Sequence, residues 1–212
     1  MEWDSPAIVL DARPYGEGDA VAAVMTEAHG LHRGLARGGA SRGKAATWQA
    51  GNLVQVQWIA RLSDHLGSFT GEMIHPGAAN AMDQALPLAM LTSVCSVAEG
   101  ALPERVPQPR IFGGLLGLIP RMPLGASLLT DVVQWEMIVL ADLGYGLDLS
   151  ACAVTGSITS IDNPTRAMPA SIVKPIPTDV SISRWIPSRK TMRLSASGMM
   201  IPLKPSAIAA VM

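Results

Sequence analysis

Cysteine is almost absent from this 212-residue chain: Cys95 and Cys152 stand alone, with no CxxC pair. Two isolated thiols build neither a zinc ribbon nor a disulfide framework, so both are read as reduced and buried, and no metal is expected. Long apolar runs are lacking too. The longest apolar window, Leu86 to Ala98, carries no charge but is interrupted by Pro87 and falls short of the ~20 residues a membrane span needs, so no transmembrane helix is expected. Glu2 and Asp4 stand where a secretory leader would carry basic residues, which makes the cytoplasm the expected location. The four histidines (His29, His32, His65, His75) have no metal-ligand spacing with acids or cysteines, and no nucleophile with an evident base stands out. Neither a cofactor nor catalysis is expected.

Net charge is also lacking. The formal value of −1 excludes a histone-like blanket of positive charge, but its distribution is uneven. Between Ala28 and Ser63 there are five basic residues (Arg33, Arg37, Arg42, Lys44, Arg61) and no acid, a pattern that gives a local basic surface suited to a phosphate backbone. Within it, Gly38-Gly39-Ala40-Ser41-Arg42-Gly43-Lys44-Ala45 follows the spacing of a phosphate loop up to its last position, where Ala45 replaces the hydroxyl that should reach magnesium. A mobile basic loop between strands is the better reading, with its Arg and Lys side chains following a nucleic-acid backbone. A nucleotide-dependent enzyme built on that loop is the outlying alternative. Trp48 and Trp58 are the candidate base-stacking residues. Trp58 alternates with Val54 and Val56 and so reads as core, whereas Trp48 precedes a turn and reads as exposed.

The first sixty residues break into short runs (Ala7–Leu10, Ala20–Thr26, Leu31–Ala36, Leu53–Ala60) divided by Gly-rich turns, the first at Arg13 to Gly18. Four or five such strands predict a small barrel or sandwich. After Pro76-Gly77 the period changes. A helix is predicted from about Asn80 to Gly100, kinked at Pro87, then a Pro-rich connector Leu102–Pro109, a short helix near Ile111–Ile119 and another over about Ser127–Leu143. On the last, Leu129, Val132, Val133 and Val139 read as core. From Asn163 onward come seven prolines, seven basic residues and a single acid, Asp179, so little regular structure is expected.

The residues that punctuate this plan resemble the RecO family. They are Ala7-Ile8-Val9-Leu10, Arg13-Pro14-Tyr15-Gly16-Glu17, Val24-Met25-Thr26 with Gly30, Leu35-Ala36-Arg37-Gly38, Gln49-Ala50-Gly51-Asn52 and Ala60-Arg61-Leu62 with Leu66-Gly67. The series continues through Leu102-Pro103-Glu104-Arg105 with Pro107 and Phe112, then Trp135-Glu136 and Leu143 to Gly156. The resemblance implies an α+β, multi-domain chain: an N-terminal OB-type β-barrel (1–78), an α-helical domain (79–156) and an irregular, basic, Pro-rich tail (157–212). It also implies a non-enzymatic mediator of DNA repair and homologous recombination. Such a protein binds single- and double-stranded DNA, anneals strands, and works with RecR and the single-strand-binding protein to load RecA in the cytoplasm, at the nucleoid. Arg105, Arg110 and Arg121 are then the candidates to receive the acidic tail of the single-strand-binding protein. A protein adapter whose helical domain binds partners while the barrel serves as scaffold remains the alternative. Two departures stand out. Cys152 lacks the partners of the zinc site some family members carry, and Ser157 to Pro164 does not continue the family pattern, which points to a shifted reading frame or a divergent end.

Overall fold

The computed structural model describes residues 1–62 and 65–146 in full and, beyond them, the backbone of Met192–Leu194 and Met200–Pro202. Five strands come first: β1 (Glu2–Tyr15), β2 (Asp19–Thr26), β3 (Gly30–Ala36), β4 (Leu53–Ile59) and β5 (Ser68–His75). They close a barrel in the order β1-β2-β3-β5-β4, antiparallel throughout except where β3 meets β5 in parallel through Leu35 and Ser68. This is the OB arrangement. β4 shows why the alternation was readable. Val54, Val56 and Trp58 point into the barrel with Ala7, Val9, Val24 and Phe69, while Gln55 and Gln57 face out and donate to Asp4 and Glu2 of β1.

β1 is continuous where the sequence suggested a break at Arg13, and Arg13, Pro14 and Tyr15 still pair with Val21, Ala20 and Asp19. Its middle reads Ala7-Ile8-Val9-Leu10 without a polar residue because both faces are covered: Ala7 and Val9 belong to the barrel core, and Ile8 and Leu10 are buried on the other side.

Four helices follow: α1 (Gly77–Met82), α2 (Ala85–Ala101), α3 (Pro109–Leu118) and α4 (Leu129–Asp142), with a 3₁₀ segment, Ile119–Leu128, between the last two. The helix expected from Asn80 to Gly100 is divided at Asp83–Gln84. Pro87 does not kink it, because it falls in the first turn of α2, where its missing N–H has no intrahelical acceptor to lose. Pro109 opens α3, and Gly144 at φ 89° ends α4.

The stretch Pro109–Asp142 has the length and mean hydropathy of a membrane span. It is not one helix, since Gly125 at φ 61° breaks it, and Ile111, Phe112, Leu115, Leu118, Met122, Leu128 and Trp135 fill the core of the helical part. On α4 the buried stripe is Val132, Trp135 and Val139. Leu129 and Val133, expected in the core, are 45% and 51% exposed, because Trp135 turns the adjacent face inward instead. Arg110 ties the start of α3 to the end of α4 through Asp142 (2.6 Å).

Barrel and helices lie in one compact unit, Met1–Val180; Ser181–Met212 forms another, in which Met192–Leu194 pairs antiparallel with Met200–Pro202. The departure at Ser157–Pro164, Cys152 and most of the Pro-rich tail lie outside the described residues.

Candidate nucleic-acid interface

OB barrels ordinarily receive ligands on the outer face of strands 2 and 3 and on the adjoining loops. Here that face is covered from within the chain. Ile8, Leu10, Met25 and Leu31 are buried on it. The connector after α2 lies along β3, with the Arg105 N–H donating to the Leu31 carbonyl (2.8 Å), and Cys95 of α2 sits against the Val9 carbonyl. Arg33, at the centre of the face, is held by Glu99 (2.6 Å) and by Glu104. The sequence showed no acid near Arg33 because its acids come from 66 and 71 residues away.

The loop from Arg37 to Asn52 is different. At its start the Asp19 carboxylate accepts the Gly38 N–H (2.7 Å) and the Gly18 carbonyl accepts that of Ala40 (3.0 Å), fastening it to the β1–β2 hairpin. At its end Asn52, 1% exposed, donates to the carbonyls of Ala46 and Thr47 and accepts the Ala78 N–H (3.0 Å). Trp48, expected in solvent, is 4% exposed and stacks on Phe69 at 6.0 Å, so it anchors the loop and offers no platform to a base. Arg37, just before the first anchor, and Arg42 and Lys44, between the two, are exposed, and among the described residues no carboxylate pairs with any of them.

The same geometry disposes of the phosphate-loop spacing. The N–H groups of Gly39, Ser41, Lys44 and Ala45 donate to Ala36, Gly38, Ser41 and Ser41 within successive tight turns, and the segment leads into β4 rather than opening a long helix. A phosphate cradle needs those donors free.

The remaining candidates do not join this patch. Arg61 is exposed beyond β4, beside the start of β1 (Ala60 bonds Met1) and so at the far end of that strand from the hairpin. Arg105 donates to the His65 carbonyl (3.3 Å), Arg110 pairs with Asp142, and Arg121 pairs with Asp131. All three thus make contacts within the chain. Nothing in the sequence marks Asp19 as holding the loop, and Asn52 stands there only within the family-like run Gln49-Ala50-Gly51-Asn52. A Gly before Asn52 at the end of a turn-rich segment was the available signal.

The opposite end of the barrel is packed with rings. Trp3 stacks on His29 (4.5 Å) and Trp58 (5.8 Å), and His32, 7% exposed, meets Trp3 and Trp58 edge-on. Burial, and to a smaller extent the charges of Arg105 and His29, pushes the His32 pKa below its ordinary value, although its Nδ1 donates to the His29 carbonyl (3.2 Å). Burial lowers His75 likewise. The unfolded chain therefore binds these protons more readily than the folded one. Stability is full above the ordinary histidine value of about 6.5 and is lost as pH falls from there toward the depressed folded values. Melting temperatures recorded from pH 8 to pH 5 are expected to fall below pH 6.5, with a smaller fall in His32→Gln; a wild-type profile level across that window would contradict this.

A closed five-stranded barrel with a basic loop at one rim and helices across its usual ligand face defines an OB-fold protein with a helical companion region. Residues 1–76 match the family model described as Recombination protein O N terminal, and residues 84–163 match Recombination protein O C terminal. The chain belongs to the RecO family. Proteins named DNA repair protein RecO are similar to it: that of Granulibacter bethesdensis is 56% identical over 162 residues (76% of this chain, 65% of that protein). Those of Gluconacetobacter diazotrophicus and Acidiphilium cryptum are 52% and 48% identical, each covering 74% of this chain and 63% and 62% of their own lengths. The matched part thus spans less than two thirds of these relatives.

Proposed function

We propose that this chain is a DNA-repair and recombination mediator that binds single- and double-stranded DNA through the β3–β4 loop and anneals strands. With RecR it helps load RecA onto DNA coated by the single-strand-binding protein, in the bacterial cytoplasm and without covalent chemistry. The observation that carries the reading is the loop itself: Arg37, Arg42 and Lys44 are exposed, free of carboxylate partners among the described residues, and presented on a loop fixed at both ends. Preorganised cations neutralise phosphates and release counterions at little cost in ordering. Arg33 contributes only if its carboxylates let go, and Arg61 serves a strand long enough to reach the far rim. The division of labour falls near residues 78 and 79, with DNA on the barrel side and partner proteins on the helical side. There Arg105, Arg110 and Arg121 meet the acidic single-strand-binding-protein tail by exchanging their internal acceptors for it.

Fluorescence anisotropy with labelled single-stranded DNA across a salt series tests this. Wild-type affinity is expected to fall steeply with salt, and the Arg37→Ala, Arg42→Ala, Lys44→Ala triple variant is expected to bind more weakly. Its log–log slope should be shallower by about 2, at roughly 0.7 per phosphate contact on single strands. No binding by folded wild type would sink the reading and favour the adapter, which the covered OB face and the exposed Leu129 and Val133 of α4 would suit.

A further inference from the structure

We infer that the tip of the β1–β2 hairpin is a base-stacking site, with Tyr15 as its platform, beside the phosphate-binding loop; the inference rests on the DNA-binding reading above. Trp48, Trp58 and Phe69 are buried inside the barrel, whereas Tyr15 is 62% exposed. Tyr15 lies directly opposite Asp19 in the β1–β2 ladder, and cross-strand partners project from the same face about 5 Å apart. The Asp19 carboxylate in turn holds the Gly38 N–H, next to Arg37. Lys44 folds back toward the same place, its Cδ lying 3.7 Å from where a Gly38 Cβ would be. The ring, the Arg37–Gly38 corner and the Lys44 stem therefore form one row across the rim.

The approach is open. A Cβ built on Gly16, Gly18 or Gly43 would meet no heavy atom within 4 Å, so bare backbone faces solvent at both the hairpin tip and the loop tip. A strand can come close there. Charge orients it. Exposed Glu17 at the hairpin tip repels phosphates and Asp11 neutralises Arg13 (2.7 Å), while the cations that meet no carboxylate among the described residues lie on the loop side. Phosphates thus run along Arg37, Arg42 and Lys44, and a base turns toward Tyr15. Every base has a π-face, so the contact holds single strands without reading sequence.

The experiment compares wild type, Tyr15→Ala and Tyr15→Trp on labelled oligothymidine and on an abasic strand of equal length, across salt. Tyr15→Ala is expected to lose about tenfold on oligothymidine, a factor within the range of one lost stacking contact, with the salt slope unchanged. It should lose nothing on the abasic strand, and Tyr15→Trp should bind at least as well as wild type. Equal affinity of Tyr15→Ala and wild type on oligothymidine, or an equal loss on both strands, overturns the stacking site while leaving the loop reading intact. Wild type that binds neither strand overturns both.

Discussion

Replacing Trp135 by alanine is expected to remove about 3–5 kcal/mol of stability, the usual cost of deleting a fully buried aromatic side chain. The indole is 0% exposed, its Nε1 donates to the Ile111 carbonyl (3.0 Å), and its Cδ1 lies where a Cβ on Gly114 would come within 2.7 Å. It is thus the wedge between α3 and α4. Neither helix can close the gap, since Arg110–Asp142 at one end and the 3₁₀ segment at the other fix their separation. With a urea m-value of about 2 kcal/mol per M, the midpoint should drop by roughly 2 M. Trp135→Phe keeps most of the volume and loses the hydrogen bond, for about 1–2 kcal/mol. An alanine variant within about 1 kcal/mol of wild type would show that this contact does not hold the helical part together.

Gly30→Ala should be nearly as damaging, and Gly16→Ala isolates the reason. Both glycines sit in the left-handed region, at φ 66° and 64°, so each alanine carries a backbone cost of about 1–2 kcal/mol. The surroundings differ. A Cβ on Gly16 meets nothing, while one on Gly30 would lie 2.5 Å from the Val106 carbonyl carbon and closer still to its oxygen. The connector would have to move, straining the Arg105–Leu31 backbone bond and the Arg33–Glu104 pair, for about 1–3 kcal/mol more. Thermal melts should therefore place Gly30→Ala well below Gly16→Ala, and coinciding melts would mean that the connector does not press on the turn.

These two sites mark where the sequence was readable and where it was not. Gly-rich turns bounded β2 and β3 and a period of two placed β4, each almost to the residue, and the change after Pro76-Gly77 placed the helices, because these signals are local. The fate of individual charges was not local. Arg33 and Arg37 belong to one acid-free stretch, yet Arg33 is neutralised by Glu99 and Glu104, and Arg37 stands free of carboxylates among the described residues. Only closure of the chain over some seventy residues separates them. Trp48 misled for a related reason: a tryptophan beside a turn is buried when its loop folds back over the barrel mouth. Tyr15 stands in a family-like run, but inside a Gly-rich turn, where neither period applies, nothing marks it as a site residue.

The doubly covered strand β1 also sets an order of events during synthesis. Ala7 waits for Val54 to line the barrel beside it, and the α2 residue that touches Val9 is made 86 positions later. Until then Ile8 and Leu10 leave the ribosome with nothing to cover them. β1 is thus made well before either of its covers, and its apolar run is open to wrong partners while the chain is growing.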